Sequence, residues 1–217
     1  MNKINYHLIS LEEVKKFVGL DHKPTLLLNA CCAPCSSHTL RFVCQYFDVT
    51  ILYDNSNVFP LSEFTIRRDE IEWFVSEFNK RENQDVKILF SDYDHDNFMH
   101  DLRPLASEKE GGKRCELCYE KKIEEALRYG QENGFDYATT TLTISRQKNS
   151  QLINQIASKV AQKYPKIKYF FSDFKKNGGL DEVQQMKRDY ALYQQTYCGC
   201  EYSLAESKRR KKPRLED

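Results

Sequence analysis

No run of residues in this 217-residue chain is apolar for long enough to cross a bilayer, which takes about 20. The first 21 residues are polar and mixed in charge, without the apolar centre of a secretory signal. These absences predict a cytoplasmic protein with no membrane partner, in a compartment that keeps thiols reduced. No linker, internal repeat or low-complexity stretch divides the sequence before its last ten residues, so 1–207 reads as one domain with a sizeable core. A GxGxxG fingerprint and a Gly-rich phosphate loop are both missing. Their absence argues against a bound nicotinamide or flavin dinucleotide and against ATP-driven chemistry. Net charge is scarce as well, +1 overall, but it is unevenly placed. Residues 208–217 carry six basic side chains against Glu216 and Asp217, which leaves −3 for the rest of the chain. Such a run suits phosphate backbones, or forms a solvated, disordered tail.

Cysteine is what the chain has in unusual density. Seven of its eight cysteines fall in three short runs, Cys31-Cys32-Ala33-Pro34-Cys35, Cys115-Glu116-Leu117-Cys118 and Cys198-Gly199-Cys200. In a reducing compartment an even cysteine count points to metal binding or redox catalysis before a disulfide framework. Cys44, among Phe42, Val43 and Phe47, reads as a small buried hydrophobe.

Strand-like runs at 25–30, 49–54, 86–91, 135–142 and 167–172 alternate with helical spacing at 36–47, 63–80, 116–133, 149–164 and about 180–193. The alternation predicts an α/β fold, a mostly parallel Rossmann-like sheet with helices on both faces. In such sheets ligands bind outside the carboxyl ends of the strands. The first cysteine run follows the first strand and opens a helix, and the second opens the helix before the fourth strand. Free N–H groups at helix N-termini stabilise thiolates and anionic clusters. Thr139 to Thr143, ending the fourth strand, would turn their hydroxyls into the same crevice.

Adjacent Cys31 and Cys32 do not bridge each other without strain, so they read as metal ligands. Cys115 and Cys118 have the CxxC spacing of both zinc and iron–sulfur sites, and two ligands from each run would complete a four-iron cluster. Zinc is the alternative that spacing leaves open, although Cys31-Cys32 is unlike a zinc-ribbon hairpin. The CxxxCxxC run of radical enzymes is absent, since His38 stands where its third cysteine belongs. Cys198 and Cys200 suit a strained, easily reduced disulfide or a pair of metal-binding thiolates.

With these runs in view, the chain resembles the iron–sulfur epoxyqueuosine reductases of the QueH type, from about Leu26 to Ser203. The motifs that carry the resemblance are LLLNACCAPCS at 26–36, YDNSNVFP at 53–60, EFTIRR at 63–68, EGGKRCELCYEKKIEEA at 110–126, TTTLTIS at 139–145, FFSDFKKNGG at 170–179 and YALYQQTYCGCEYS at 190–203. The resemblance implies the last step of queuosine synthesis, reduction of epoxyqueuosine at the wobble position of tRNA. It implies a 4Fe-4S cluster on Cys31, Cys32, Cys115 and Cys118, a redox-active pair in Cys198 and Cys200, and a second iron near the cluster with Cys35 as ligand. Asn29 departs from the family, which more often has histidine there. The electrons would come from an unidentified donor, and Tyr197 or Asp54 would supply a proton. For RNA contact the sequence offers Arg67, Arg68, Lys113, Arg114, Arg146, Lys148, Lys175 and Lys176, with Tyr53, Phe59 and Phe174 for stacking. Rival readings are a zinc-stabilised RNA-binding module and a thiol-disulfide oxidoreductase.

Overall fold

A computed structural model describes residues 3–211. Five strands, β1 (Thr25–Asn29), β2 (Asp48–Tyr53), β3 (Lys87–Phe90), β4 (Tyr137–Thr140) and β5 (Lys168–Tyr169), form one sheet in the order β3-β2-β1-β4-β5. Every pairing is parallel, with Leu28 opposite Ile51 on one side and Thr139 on the other. The α/β reading of the sequence is therefore met. Leu26, Leu27 and Leu28 of the central strand are fully buried, as a strand covered on both faces requires. Burying each such side chain contributes about 1.5–3 kcal/mol.

The helices are α1 (Tyr6–Lys15), α2 (Ala33–Val43), α3 (Leu61–Glu82), α4 (His95–His100), α5 (Lys113–Glu132), α6 (Ser150–Val160), α7 (Gly179–Asp189) and α8 (Glu201–Lys211). Strand alternation sorts them into two layers. Leu26, Leu28, Ile51 and Tyr53 pack with Leu40 and Val43 of α2, Phe74 and Phe78 of α3, and Met186 of α7. Leu27, Leu52 and Ala138 pack with Ile123 and Leu127 of α5 and Ile153 and Ala157 of α6.

Two helices open without a side-chain cap where the cysteines stand. Cys32, extended at φ −175°, is the N-cap of α2, with proline in the first turn, and Gly112 is the N-cap of α5. Free N–H groups thus remain beside both runs. Among the described residues no helix is long and apolar enough to span a membrane. Lys208–Lys211 of the basic run continue α8, and 212–217 lie outside the described residues.

Candidate metal and redox centre

The first cysteine run leaves β1 and turns at once into α2. This brings Cys31, Cys32 and Cys35 together with their Sγ atoms within 4.8 Å of one another, and Cys31 and Cys32 at 3.6 Å. Thr141, one residue past β4, donates its hydroxyl to Cys31 Sγ at 3.6 Å, and Gln195 donates its amide N–H to Cys32 Sγ at 2.9 Å. Cys31 is held well below the ordinary thiol range because Cys32 and Cys35 donate to its sulfur, helped by the Lys148 ammonium. The same contacts push Cys32 up to about 12 and Cys35 well above its usual value. One thiolate shared among three sulfurs is the donor set a soft cation takes, releasing the remaining protons as it binds.

Cys115 and Cys118 occupy the first turns of α5 and are not members of that group of three. Gly111 N–H reaches Cys115 Sγ at 3.3 Å. Burial raises both thiols, Cys118 to about 12, and the charges of Cys198 and Cys200 act on both in the same direction. Thiolates on one tetrahedral ion stand about 3.8 Å apart at ~2.3 Å metal–sulfur bonds. A polynuclear cluster sets its ligands on separate metals and hence farther apart.

The third run joins the other two. A cavity of about 240 Å³ is lined by Cys31, Cys35, Lys148, Gln195, Tyr197 and Cys198. A second, of about 360 Å³, is lined by Cys115, Tyr119, Lys148 and Cys198 among others. Cys198 and Lys148 border both. Burial would lower the Lys148 ammonium, but Cys198, Cys31 and Cys35 outweigh it and hold it well above its usual value.

Arg67 of α3 fixes the third run in place. It is 1% exposed, donating to Glu63 Oε1 at 2.8 Å, to the Cys198 carbonyl at 3.0 Å and to the Tyr197 carbonyl at 3.3 Å. Gly199 adopts φ +142° and accepts from Phe59 N–H at 2.8 Å. A Cβ at Gly199 would meet Arg67 Nη1 at 3.2 Å and Val58 at 3.3 Å. Ser203 accepts from Gly199 N–H and donates to the Cys200 carbonyl, closing the loop onto α8.

Several sequence expectations change here. Arg67 and Arg114 are buried and hold backbone, Arg114 on the carbonyls of Leu105 and Ala106, so neither is an RNA contact. Lys175 is spent on the Ser145 and Lys148 carbonyls. Tyr53 and Phe174 are buried, which leaves Phe59, 37% exposed, as the stacking candidate. Of the threonines from 139 to 143, only Thr141 meets a cysteine; Thr139 turns to the Phe170 carbonyl and Thr143 to Ser172. Asp54 lines a cavity of the β2–β3 side instead of the cysteine cavities. Tyr197 does line the first cavity; its hydroxyl donates to the Phe59 carbonyl, and burial pushes it up to about 12. At position 29 the asparagine is buried with Nδ2 unpartnered.

Two residues the sequence did not flag belong to the centre. One is Gln195. The other is Lys122, 2% exposed, one helical turn past Cys118. Its ammonium donates to the Asp54 carbonyl at 2.7 Å and Asn55 Oδ1 at 2.8 Å, and Asn55 in turn donates to the Ala30 carbonyl. A buried cation on neutral oxygens favours a nearby anion, and the Lys122 charge pulls the Cys118 thiol towards its ionised form against burial.

Comparison with known proteins identifies the family. The family model described as epoxyqueuosine reductase QueH matches residues 26–206. A protein of that name from Streptococcus pyogenes is 39% identical over 201 residues, covering 93% of this chain and 78% of its own. One from Staphylococcus aureus is 37% identical, covering 94% and 85%. One from Thermotoga maritima is 30% identical, covering 84% and 91%.

Proposed function

This chain belongs to the epoxyqueuosine reductase QueH family, and we propose that it reduces epoxyqueuosine in tRNA through an iron–sulfur centre built on the three cysteine runs. The observation that carries the reading is Cys198, which borders one cavity with Cys31 and Cys35 and another with Cys115. Cys31 and Cys35, Cys115, and Cys198, from three distant segments, line two cavities that share Cys198 and Lys148. That donor set fits soft, thiophilic iron. In this reading Cys31, Cys32, Cys115 and Cys118 hold a 4Fe-4S cluster, and Cys35 takes a second iron beside it. Such a centre supplies single electrons and Lewis acidity when bound.

Deoxygenation takes two electrons and two protons: both epoxide C–O bonds break, the two carbons that held the oxygen become doubly bonded, and the oxygen leaves as water. Cys198 and Cys200 supply the electron pair by passing from dithiol to disulfide, and an external donor reduces them again. Tyr197 or Lys148, both on the cavity wall, gives a proton to the departing oxygen. Arg67 holds Cys198 at the cavity by its carbonyl, and Ser203 hydrogen-bonds Cys200 two residues on.

A single soft ion on Cys31, Cys32 and Cys35 is the second reading, favoured by their mutual spacing within 4.8 Å. Anaerobic purification with iron, sulfide and zinc analysis separates the two. About four sulfides and four to five irons per chain, with turnover of epoxyqueuosine tRNA that is lost in Cys198→Ser, support the reductase reading. Zinc without sulfide, and no turnover, overturns it.

A further inference from the structure

The carboxyl edge of the sheet is electrically polarised. At its β2–β3 end a cavity of about 250 Å³ is lined by Asp54, Asp92, Asp94 and Glu125 against one cation, Lys121. The cysteine cavities occupy the middle, after β1. Beyond β4 and β5 lies a third region, a cavity of about 500 Å³ lined by Lys3, Arg146, Lys148, Lys175 and Lys176 with Asp173 as its one acid. Asp173 is already engaged, accepting from Ser150 Oγ at 2.8 Å, with Lys175 at 3.8 Å. Among the described residues, none of Lys3, Arg146 and Lys176 pairs with a carboxylate, whereas Lys148 is held against the cysteine sulfurs.

These cations are placed by the fold. Lys175 ties the 145–148 loop by its two carbonyl contacts, and that loop carries Arg146 and Lys148. Gln151 exchanges hydrogen bonds with the backbone of Ile4, at 3.1 and 2.7 Å, holding the segment of Lys3 against the first turn of α6. Arg146 and Lys148 also border the cysteine cavity, so the two spaces adjoin. Unneutralised cations held together in a recess suit phosphodiesters, whose binding releases counterions.

We infer that this recess is a phosphate-binding subsite which seats the RNA backbone flanking the reacting nucleotide, and that the acidic cavity repels the strand from the opposite end. The inference rests on the tRNA substrate proposed above and adds the side of the centre on which the strand lies. A nucleotide extruded into the cysteine cavity would then have its neighbouring phosphates on Lys3, Arg146 and Lys176.

The test uses the full-length, metal-loaded protein and a fluorescent anticodon-arm hairpin RNA, with affinity measured from low to moderate salt. The Lys3→Glu/Lys176→Glu variant should bind at least tenfold more weakly at the lowest salt. Its plot of log affinity against log salt should flatten by about one to two, since each lost phosphate contact removes about 0.7–0.9. Lys166→Glu, a charge reversal outside the recess, beside the cavity near Pro24 and Lys168, should leave the slope as in the wild type. Wild-type binding that survives the double reversal, or an equal loss in Lys166→Glu, overturns the subsite alone. A wild-type protein that binds no hairpin overturns the substrate reading and the subsite together. Displacement of the hairpin by millimolar inorganic phosphate, beyond chloride of equal ionic strength, reassigns the recess to free phosphate and overturns the RNA assignment.

Discussion

Replacing Arg67 with methionine keeps the bulk of the side chain and removes the charge that joins α3 to the Cys198 loop. The change leaves Glu63, 8% exposed, with Tyr193 Oη at 3.1 Å as its remaining side-chain partner. Removing one member of a buried ion pair costs about 3–5 kcal/mol. The Tyr197 and Cys198 carbonyls lose donors too, at about 1–3 kcal/mol where no water replaces them. Methionine packs against the former guanidinium site and recovers part of this, for a net loss of about 4 kcal/mol. That is a large share of a usual total of about 5–15 kcal/mol, so the variant folds but melts early. Adding Glu63→Gln removes the stranded carboxylate and should restore about 1–2 kcal/mol. Urea unfolding of metal-free, reduced protein gives these numbers. Peptide-resolved alkylation by iodoacetamide reports the position of the loop, with Cys44, 5% exposed, as the marker of global opening. Cys44 should speed up with the global loss of stability, and Cys198 and Cys200 should speed up about tenfold more than Cys44 does. A loss below about 1 kcal/mol with unchanged rates at Cys198 and Cys200 would refute the clamp; equal acceleration at Cys44 would make Arg67 a general stability residue.

Gly199→Ala forces a side chain onto φ +142° and against Arg67 and Val58, so thermal melting should show a loss of about 1–3 kcal/mol. Lys122→Met removes a buried charge bound to neutral oxygens. The metal-free protein should be at least as stable as wild type in urea, whereas the loaded centre should titrate at a more negative potential. Equal potentials would discard the counter-charge role. His38 is lowered by burial, against the pull of Glu182 at 2.6 Å. Below its free value of about 6.5 the unfolded chain binds the proton more readily, so stability should fall from pH 7 towards pH 5.5. His38→Gln should flatten that slope, and an unchanged slope would move the effect elsewhere.

The five strands were legible because parallel strands buried on both faces read as short apolar runs, TLLLN above all. α1 was not. Its buried positions are Tyr6, Ser10 and Val14, while Leu8 and Ile9 stay exposed, so its helical period carries little hydrophobic signal. α2 starts at Ala33, inside the cysteine run, because Pro34 suits a first helical turn. Cysteine spacing announced the centre, but its supports were hidden in ordinary surface chemistry. Glu63 and Arg67 at i, i+4 read as an exposed ion pair on a helix. Only the docking of residues 197–199 onto α3 makes that pair buried. Lys122 sits in an EKKIEEA stretch that looks solvated throughout, yet the amphipathic face of α5 turns it inward at the ends of β1 and β2.

The proposed centre draws its thiols from residues 31–35, 115–118 and 198–200, and this would impose an order on its making. At ~5–20 residues per second, Cys31 leaves the ribosome on the order of 10–30 s before Cys200. During that interval β1, β2 and α2 can already assemble, and the first three sulfurs stand ready without the Cys198 loop. A nascent chain is then a chelator before it is a reductase, open to whichever thiophilic ion arrives first. Loading of the proposed centre would then be a kinetic contest during synthesis, and the clamp of Arg67 on the last loop the step that ends it.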